Sequence, residues 1–302
     1  MKILITGGNG FIGTYLVKKL LNINPYHHIL IIDNHSSSQY NTFDNSSSVK
    51  VINDSTININ NIDKCINFKP DICFHFGEYS RINSSFNDMD KIINSNICGT
   101  GQVLEYCRIH DVKLIYSASS SVYDTEANTT NSNPYTLSKI RNIELIKKYN
   151  EWYGLKYILL FFYNVYGGGQ ITNGSMATVI GIFEEQFKQD EPLTVVSPGT
   201  QMRDFTHIED TINAIIIILD ANLWNTDYNI NTGQQYSILD IAKMFNNHNI
   251  KMVEKDNVNR MNSSGNNLNL TNLGWKPKYN IQEYIHNLTK KKRKNKRKTI
   301  NV

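Results

Sequence analysis

The sequence predicts an α/β fold, with helices packed on a doubly wound parallel sheet, followed by a smaller mixed C-terminal domain. In the first half of the 302 residues, short apolar runs typical of buried strands alternate with amphipathic helical patterns. Glycines at regular spacing connect the first apolar run to the first helical pattern. From Gly167 onward the pattern changes to short strands, glycine-rich turns and scattered helices. We therefore expect one domain over 1–166 and a substrate domain over 167–289, with part of 203–235 packing back on the first.

The first turn carries the clearest functional signal. The apolar run 3–5 is followed by glycines at G-x-x-G-x-x-G spacing and then by a helical pattern. Glycines at such a turn let the backbone approach a pyrophosphate closely, and the helix N-terminus presents free N–H groups to it. The turn therefore predicts a Rossmann-type nucleotide site. Its contacts in this segment are expected at Gly7, Gly10, Phe11, Ile12 and Gly13.

Asp33 ends the second apolar strand, 29–32, twenty residues after Gly13. An acid at this position accepts hydrogen bonds from the adenosine ribose. No Arg or Lys lies between Asp33 and Asn45 to pair with a 2′-phosphate, so NAD is predicted in preference to NADP. Further cofactor contacts are expected at Asn34, Asp54, Ser55, Phe76, Gly77, Tyr79, Asn96, Ser117 and Tyr163.

The later elements follow from the same alternation of apolar runs and helical patterns. Strands are predicted at 49–52, 71–76, 112–116 and 156–162, and helices at 57–68, 84–110 and 134–153. Pro134 suits the first turn of the last of these helices. Thr206 and Glu209 have the spacing of a capping box, which predicts that another helix begins there.

Composition excludes some classes of protein. No apolar run approaches the length of a membrane span, and Met1 leads directly into a strand pattern. The four cysteines show neither a C-x-x-C pair nor zinc-ligand spacing, so reduced thiols, a cytoplasmic location and no metal site are expected.

Positive charge is concentrated at the C-terminal end. Residues 290–298 hold eight of the 31 Lys and Arg residues, which leaves a mildly acidic body with no evident nucleic-acid surface. The tail 290–302 is expected to be disordered and solvated. A localisation signal and a polyanion-binding arm are the alternatives.

A candidate acid–base pair lies in the predicted helix 134–153. Tyr135 and Lys139 stand at i and i+4 on one face of it. An ammonium near a phenol favours the phenolate, which makes the phenol usable as a base near neutral pH. Ser119 and Ser120 follow the fifth strand, so their hydroxyls are expected at the carboxyl edge of the sheet, beside the nucleotide.

Over nearly its full length the chain resembles the extended short-chain dehydrogenase/reductases, within the NAD-dependent nucleotide-sugar epimerase/dehydratase family. The motifs that carry the resemblance are Thr6-Gly7-Gly8-Asn9-Gly10-Phe11-Ile12-Gly13, Asn96-Ile97-Cys98-Gly99-Thr100, Ser119 with Val122-Tyr123, Tyr135 with Lys139, Asn164-Val165-Tyr166-Gly167, Arg203-Asp204-Phe205-Thr206 and Leu273-Gly274-Trp275. The resemblance implies that Tyr135 is the base, Lys139 holds the nicotinamide ribose and Ser119 hydrogen-bonds the reacting hydroxyl.

The same resemblance implies a substrate and an assembly. The substrate is a nucleoside diphosphate-sugar, held by Asn164, Arg203 and Arg260 and contacted by Ser120. The assembly is a homodimer formed through the helices at 84–110 and 134–153. Glu78 and Arg81 replace a more apolar pair of small residues and are expected to bind substrate near the nicotinamide or the sugar; a surface ion pair is the alternative.

Departures from the family pattern narrow the reaction. Family members that eliminate water carry Asp-Glu directly after the catalytic Ser or Thr, whereas this chain has Ser120-Ser121. The chain is then most similar to the 4-epimerases of UDP-hexoses, UDP-N-acetylhexosamines or UDP-hexuronates. An NAD(P)H-dependent 4-reductase of a nucleotide-keto-sugar and a non-catalytic NAD-binding protein of the same fold remain as alternatives.

Overall fold

A computed structural model describes residues 1–37, 43, 45–123, 133–246, 249–254 and 261–300, with the backbone alone described over 293–300. The chain divides into two compact units. The first comprises Met1–Phe162 and Ile215–Asn229, and the second comprises Tyr163–Ala214 and Ile230–Val302. No helix among the described residues is long and apolar enough to cross a membrane.

The elements alternate along the chain. The strands are β1 (Lys2–Thr6), β2 (His28–Ile32), β3 (Val49–Ile52), β4 (Ile72–His75), β5 (Lys113–Ser119), β6 (Tyr157–Phe162), β7 (Asn164–Tyr166), β8 (Leu193–Val196), β9 (Met202–His207), β10 (Thr226–Ile230), β11 (Gln235–Ser237) and β12 (Ile250–Val253). The helices are α1 (Phe11–Ile23), α2 (Asp63–Phe68), α3 (Met89–Lys91), α4 (Gly99–Ile109), α5 (Pro134–Tyr153), α6 (Val179–Lys188), α7 (Ile208–Ala221), α8 (Ile238–Phe245), α9 (Leu268–Thr271) and α10 (Ile281–Ile300).

The first unit is built on a seven-stranded sheet in the order β3-β2-β1-β4-β5-β6-β10. The neighbouring pairs from β3 through β6 are parallel. Ile3, Leu4 and Ile5 of β1 are fully buried, because helices cover both faces of a parallel sheet. The direction of winding reverses between β1 and β4, and ligands of such sheets bind at that point. The predicted doubly wound fold is confirmed.

Two helical predictions differ from the structure. The stretch expected as a helix at 57–68 is a 3₁₀ segment, Thr56–Asn61, followed by α2. The stretch expected at 84–110 runs through α3, a π-helical segment at Ile92–Cys98 and α4, with no break at Gly99. A Cβ at Gly99 would lie 2.3 Å from the Thr56 hydroxyl oxygen, so this glycine serves close packing and not helix termination.

The fifth strand is longer than the predicted 112–116. It continues to Ser119, so that Ser117 and Ser119 belong to β5 and a 3₁₀ turn, Ser120–Tyr123, follows. Parallel pairing with β6 extends to Ser119 opposite Phe162 and stabilises the extension. The catalytic serine predicted from sequence therefore lies on a strand, at the carboxyl edge of the sheet.

Helix α5 begins and ends where the sequence predicts. The Asn133 side chain accepts a hydrogen bond of 2.8 Å from the Thr136 amide, and Pro134 fills the first turn. The helix ends at Gly154, whose φ of 73° lies in the left-handed region that glycine tolerates. Tyr135 and Lys139 thus stand in a capped, regular helix.

The second unit contains a three-stranded sheet, β11-β9-β7, and a two-stranded sheet, β12-β8. It begins at Tyr163, a few residues before the boundary expected at 167, because β7 pairs with β9. Aromatic and aliphatic side chains form its core, among them Tyr166, Phe183, Phe205 and Phe245.

The predicted capping box at 206–209 is wrong in detail. Thr206 belongs to β9 and its hydroxyl donates to the Ile230 carbonyl, 3.3 Å away. A ring nitrogen of His207 instead accepts from the Glu209 amide at 3.3 Å, at the start of α7. The Thr206 hydroxyl therefore bonds to the end of a neighbouring strand, and the His207 imidazole accepts the hydrogen bond at the start of α7 in its place.

The basic C-terminal segment is helical where a disordered tail was expected. Helix α10 continues to Ile300, and its first turns are anchored by the buried Ile281 and Ile285. The Lys292 ammonium lies 2.6 Å from a carboxylate oxygen of Asp190. Lys and Arg are good helix formers, and extending an anchored helix adds one hydrogen bond per residue, which accounts for the continuation.

Candidate active site

The loops after β1 and β4 approach each other at the carboxyl edge of the sheet. A Cβ at Gly7 would lie 2.7 Å from the Gly77 nitrogen, and one at Gly13 would lie 2.3 Å from the Gly7 carbonyl oxygen. Real Cβ atoms do not tolerate such distances, so only glycine allows this approach. Gly10 precedes α1 without a side-chain cap, which leaves the helix N-terminus available to an anion.

Asp33 and Asn9 define the neighbouring part of this cleft. The Asp33 carboxylate is buried and accepts hydrogen bonds from the amides of Asn9, at 2.9 Å, and His35, at 2.8 Å. The side-chain oxygen and nitrogen of Asn9 are buried with no partner among the described residues. Buried amide groups are normally paired, so an unpaired one at this place is consistent with a polar ligand.

Other predicted cofactor residues lie at the same edge of the sheet. Asp54 follows β3 and accepts from the Ser55 amide at 2.6 Å and from Asn58 at 2.8 Å. Asn34 follows β2, is exposed, and accepts from the Ser36 amide at 3.1 Å. Phe76 follows β4, and its ring contacts the rings of Phe74 and Phe162 with centroids 5.9 Å apart. Phe11 and Ile12 are partly exposed in the first turn of α1.

Tyr79 and Asn96 are bound mainly to each other. The Asn96 side chain accepts from the Tyr79 amide at 2.8 Å and donates to the Tyr79 carbonyl at 3.0 Å and to the Ser138 hydroxyl at 3.0 Å. The Tyr79 hydroxyl donates to Asp88 at 2.7 Å, and burial raises the pKa of this phenol to about 12. Asn96 thus ties the segment after β4 to α5.

Lys139 and Tyr135 of α5 lie next to each other, and Lys139 is bonded to β5. The Lys139 ammonium donates to the Ser117 carbonyl at 2.5 Å and lies 5.9 Å from the centre of the Tyr135 ring. Ser117 also donates its hydroxyl to the His75 carbonyl at 3.0 Å, which joins β5 to β4. The Ser119 hydroxyl accepts from the Ser121 amide at 3.2 Å. Lys139 and Tyr135 are both buried.

Glu78 occupies a different place from the one expected. Its side chain is 1% exposed and forms an ion pair with the ammonium of Lys139, whose side chain is 3% exposed. The same carboxylate accepts from Thr100 at 2.5 Å, from Tyr116 at 3.0 Å and from Asn142 at 2.8 Å. Glu78 was expected to contact the sugar or to form an ion pair on the surface. In the structure it forms a buried ion pair, and protein donors use the lone pairs of its carboxylate.

A chain of buried hydrogen bonds connects Glu78 to the nucleotide loop. The Gly77 amide donates to the Thr6 hydroxyl at 3.0 Å, and that hydroxyl lies 2.7 Å from Nδ1 of His75. Nε2 of His75 lies 2.9 Å from the hydroxyl of Thr100, which donates to Glu78. The Thr100 hydroxyl gives its only proton to the Glu78 carboxylate, so Nε2 of His75 donates to Thr100, and in the neutral imidazole Nδ1 then accepts from the Thr6 hydroxyl. Burial lowers the pKa of His75 to about 4, consistent with this neutral form.

Arg81 lies near the predicted base. Burial lowers the pKa of its guanidinium, and the nearby Tyr135 phenol opposes this change by favouring the charged form. One guanidinium nitrogen donates to the Ser80 carbonyl at 3.0 Å. Two cationic side chains, Arg81 and Lys139, therefore stand in the surroundings of Tyr135.

The second unit contains the remaining predicted contacts. The Asn164 side chain donates to the Asp204 carbonyl at 2.9 Å, and Arg203 donates to the Met202 carbonyl at 2.8 Å. Tyr163 is buried, with its hydroxyl 3.4 Å from the Ser264 carbonyl. Arg260 lies outside the described residues.

Asp204 anchors the segment after β10 to β9. Its buried carboxylate accepts from the amides of Thr232 at 2.9 Å and Gly233 at 2.7 Å, and from the Thr232 hydroxyl at 2.8 Å. Burial raises its pKa, and these donors oppose the rise. The acid of the Arg203-Asp204 motif is thus a structural residue.

Sequence reasoning missed the hydrogen-bonded chain through Thr6, His75, Thr100 and Asn142. Thr6 and Thr100 were within recognised motifs, but a buried polar role leaves no periodic pattern. A signal was present in His75, a polar residue inside the otherwise apolar fourth strand. A polar residue in a fully buried strand needs a hydrogen-bond partner, which could have predicted the contact.

The chain belongs to the NAD dependent epimerase/dehydratase family, whose pattern matches residues 3–231. A Methanocaldococcus jannaschii protein, provisionally named as a UDP-glucose 4-epimerase, is 31% identical over 247 residues and 78% of each chain. A dTDP-D-glucose 4,6-dehydratase of Dictyostelium discoideum is 30% identical over 276 residues, covering 80% of this chain and 61% of that protein. The family membership predicted from sequence is confirmed.

Solved structures agree on the fold. The UDP-glucose 4-epimerase of Thermotoga maritima, determined with UDP-glucose, matches with a TM-score of 0.84 at 24% identity and covers 98% of this chain and 99% of its own. The Thermus thermophilus UDP-glucose 4-epimerase, determined with NAD, matches with a TM-score of 0.83 at 23% identity over 97% of this chain and 99% of its own.

NAD is the cofactor of this family, as predicted from the sequence. The residues present fit it in two respects. A Cβ at Gly7, Gly13 or Gly77 would fill the cradle. Asn9, whose amide donates to the predicted ribose acceptor Asp33, has a buried side chain without a hydrogen-bond partner among the described residues.

Proposed function

We propose that this protein is a 4-epimerase of a nucleoside diphosphate-sugar, acting through a transient 4-keto sugar. The observation that carries the proposal is the pair Ser120-Ser121, which follows Ser119 where the dehydratases of the family carry an acid and a base. Both serines are buried, and the Ser121 hydroxyl has no partner among the described residues. The site thus offers the groups for oxidation at C4 and lacks carboxyl groups at these two positions.

The side chains have separate roles in the proposed reaction. Tyr135 removes the proton of the 4-hydroxyl, and Ser119 donates a hydrogen bond to the same oxygen as it becomes a carbonyl. Lys139 holds the nicotinamide ribose and keeps positive charge near the phenolate. NAD, when bound, supplies the hydride acceptor for C4. After the keto sugar has turned its other face, the same hydride would return to C4 while Tyr135 gives its proton back to the 4-oxygen, so that the cofactor ends unchanged.

Loss of water is disfavoured by the same residues. Elimination across C5 and C6 requires a base at C5 and an acid at the 6-hydroxyl. A serine hydroxyl does neither well near neutral pH, whereas carboxyl groups can be tuned for both tasks. We therefore expect C6 to stay intact and the 4-keto sugar to be reduced again, which gives the C4 epimer.

The proposed substrates are UDP-hexoses, UDP-N-acetylhexosamines and UDP-hexuronates. Solved relatives include a UDP-N-acetylglucosamine 4-epimerase of Methanobrevibacter ruminantium and a UDP-glucuronic acid 4-epimerase of Bacillus cereus, and these names describe those proteins. Asn164, Arg203 and Arg260 are proposed to hold the substrate. An arginine suits a diphosphate because its fork donates two hydrogen bonds and keeps its charge.

The test is mass spectrometry of products from UDP-glucose, UDP-N-acetylglucosamine and UDP-glucuronate, with purified protein and no added cofactor. An epimer has unchanged mass and a changed retention time. A product lighter by one water or by carbon dioxide would overturn the proposal. Turnover that depends stoichiometrically on added NADH or NADPH would favour the 4-reductase, and the Tyr135→Phe variant is the negative control.

We also propose a homodimer formed through α4, α5 and the helical segment before α4. These helices leave large apolar side chains exposed to solvent. They are Ile93, Ile97, Ile109, Leu137, Trp152 and Tyr153. Large apolar side chains exposed on neighbouring helices are common at association sites, and these helices are the ones that the resemblance implies.

A further inference from the structure

The ion pair between Glu78 and Lys139 is enclosed by protein. Burying a lone ammonium is unfavourable, so an unpaired lysine at this position would tend to lose its proton or move toward water. Glu78 supplies the compensating charge. Tyr116 from β5, Thr100 from α4 and Asn142 from α5 donate to the carboxylate and hold it in one orientation.

The hydrogen-bond capacity of both partners can be counted. A carboxylate has about four lone-pair positions, and the four donors to Glu78 occupy them. The Lys139 ammonium has three protons, of which two are directed to Glu78 and the Ser117 carbonyl. Among the described residues the third proton has no acceptor, and we assign it to a hydroxyl of the nicotinamide ribose; the four described donors leave Glu78 no lone pair for a ligand.

Glu78 is also adjacent to the cofactor cradle. Gly77, the preceding residue, approaches Gly7 closely and donates to Thr6. The route through His75 and Thr100 reaches the same carboxylate from the other side. The position of Glu78 is thus set by the residues that form the nucleotide loop.

The charge of Glu78 matters for Tyr135. Several titratable groups surround the Glu78 carboxylate or the Tyr135 base. They are the Tyr135 phenol itself, the Lys139 ammonium, the Arg81 guanidinium, the Tyr116 phenol and neutral His75. Among them Glu78 carries the negative charge, and it partly cancels the field of Lys139. Glu78 therefore offsets the electrostatic effect that the Lys139 charge has on the Tyr135 side chain.

We propose that Glu78 is a positioning residue of the epimerase reaction, which holds Lys139 for the nicotinamide ribose and sets the charge that Tyr135 experiences. The inference rests on the proposed function for its catalytic part, since the reaction requires Tyr135 as base. Its effect on NAD binding is independent of the sugar. Glu78 acts through Lys139 and makes no contact with NAD or sugar.

The test is a double-mutant cycle with Glu78→Gln, Lys139→Met and the double variant. Glu78→Gln keeps the size and hydrogen-bonding capacity of the side chain and removes its charge. We expect it to weaken NAD binding about tenfold, the effect of a misplaced charged hydrogen bond. In the Lys139→Met background it should cause no further loss. An equal loss in both backgrounds would show that Glu78 contacts NAD itself and would overturn the proposal.

A second readout separates positioning from stability. This readout is the acid limb of the pH–rate profile of the wild type and the variants. Glu78→Gln should move this acid limb to lower pH by about one unit, because Lys139 is no longer neutralised. An unchanged pH profile together with a lowered melting temperature would assign Glu78 a purely structural role.

The stability of the protein without NAD gives a third readout. Lys139→Met leaves Glu78 buried and unpaired and should lower the melting temperature, and the double variant should recover part of that loss. The matched control is Glu185→Gln, which removes a carboxylate from the pair with Lys188 in the second unit and should change neither NAD binding nor the pH profile.

Tyr116→Phe covers the case in which Glu78→Gln does not fold. It removes one donor to the carboxylate and keeps the charge, so NAD binding should weaken while the acid limb stays in place; unaltered NAD binding would overturn the positioning role. If the wild type converts no nucleotide sugar, the proposed function fails. The NAD-binding cycle and the melting temperatures still decide the role of Glu78.

Discussion

The amide nitrogen of Asn9 donates a hydrogen bond of 2.9 Å to Oδ2 of Asp33. This bond joins the glycine loop after β1 to the end of β2 and fixes the carboxylate at the mouth of the nucleotide cleft. The Asn9 side chain stays unpaired among the described residues. A charged acceptor held in this way favours a ribose that carries two free hydroxyls.

Asp33→Ala should weaken NAD binding about tenfold or more, the magnitude of a hydrogen bond to a charged group. It should affect NADP less, because the carboxylate repels a 2′-phosphate. Titration of the wild type and the variant with both cofactors measures this. Asp71→Ala is the control, since that carboxylate accepts from the Lys2 amide at the opposite edge of the sheet. Equal affinity of the wild type for NAD and NADP would contradict the prediction.

Tyr135→Phe should lower turnover by several orders of magnitude while the fold and NAD content are retained. The substitution keeps the buried ring and removes the hydroxyl that transfers the proton. Initial rates, circular dichroism and bound NAD after gel filtration measure the three properties. Tyr26→Phe, at a phenol that is 82% exposed, is the control. Turnover of Tyr135→Phe close to that of the wild type would remove Tyr135 as the base.

Ser119→Ala should reduce turnover about 10²–10³-fold, the effect of losing one aligned hydrogen bond in a transition state. NAD binding and melting temperature should remain close to those of the wild type. The measurement is kcat with the best substrate from the panel. A decrease in NAD binding equal to the decrease in rate would show that Ser119 acts on the cofactor and not on the sugar hydroxyl.

Gly13→Ala should abolish NAD retention and lower the melting temperature, because the added Cβ would lie 2.3 Å from the Gly7 carbonyl oxygen. Gly101→Ala is a matched control, as this glycine also lies in a helix and a Cβ there would meet nothing within 4 Å. Alanine should stabilise α4 by about 0.5–1 kcal/mol. Thermal unfolding of both variants is the measurement. A lower melting temperature for Gly13→Ala alone assigns the effect to close packing at Gly13, whereas a loss in both variants would show that neither helix glycine can be replaced.

Stability should fall on acidification through His75. Its pKa is lowered from 6.5 to about 4 by burial, so between these values the unfolded chain binds the extra proton. Above pH 6.5 the free energy of unfolding carries no penalty from His75. As the pH falls from 6.5 to 4, the free energy of unfolding decreases by about 1.4 kcal/mol per pH unit, or about 3 kcal/mol in all. Urea unfolding at several pH values measures it. His75→Gln should flatten this dependence, and an unchanged slope would contradict the assignment.

The proposed dimer predicts an effect of charge on α5. Trp152 is 59% exposed, and Trp152→Glu should shift the protein from dimer to monomer in light scattering. Tyr26→Glu introduces the same charge at an exposed aromatic residue outside these helices and should leave the mass unchanged. A monomeric wild type at micromolar concentration would disprove the dimer.

Local patterns were sufficient for much of this protein. Unbroken apolar runs predicted the strands around β1, the glycine spacing predicted the close turn before α1, and Pro134 with the helical pattern that follows it predicted the bounds of α5. Each of these depends on neighbours in the chain, through burial on both faces, allowed φ angles or a local hydrogen bond. Family motifs then identified the cofactor, and the comparisons confirmed it.

Tertiary structure decided the features that depend on distant partners. Glu78 and Lys139 are 61 residues apart, and only the pairing of β4 and β5 beside α5 brings the carboxylate to the ammonium. The same is true of His75, whose two ring nitrogens meet Thr6 and Thr100. The sequence by itself determined which residues were available for chemistry. The fold decided which charges are buried together, because burial and pairing are properties of the packed chain and not of any single segment.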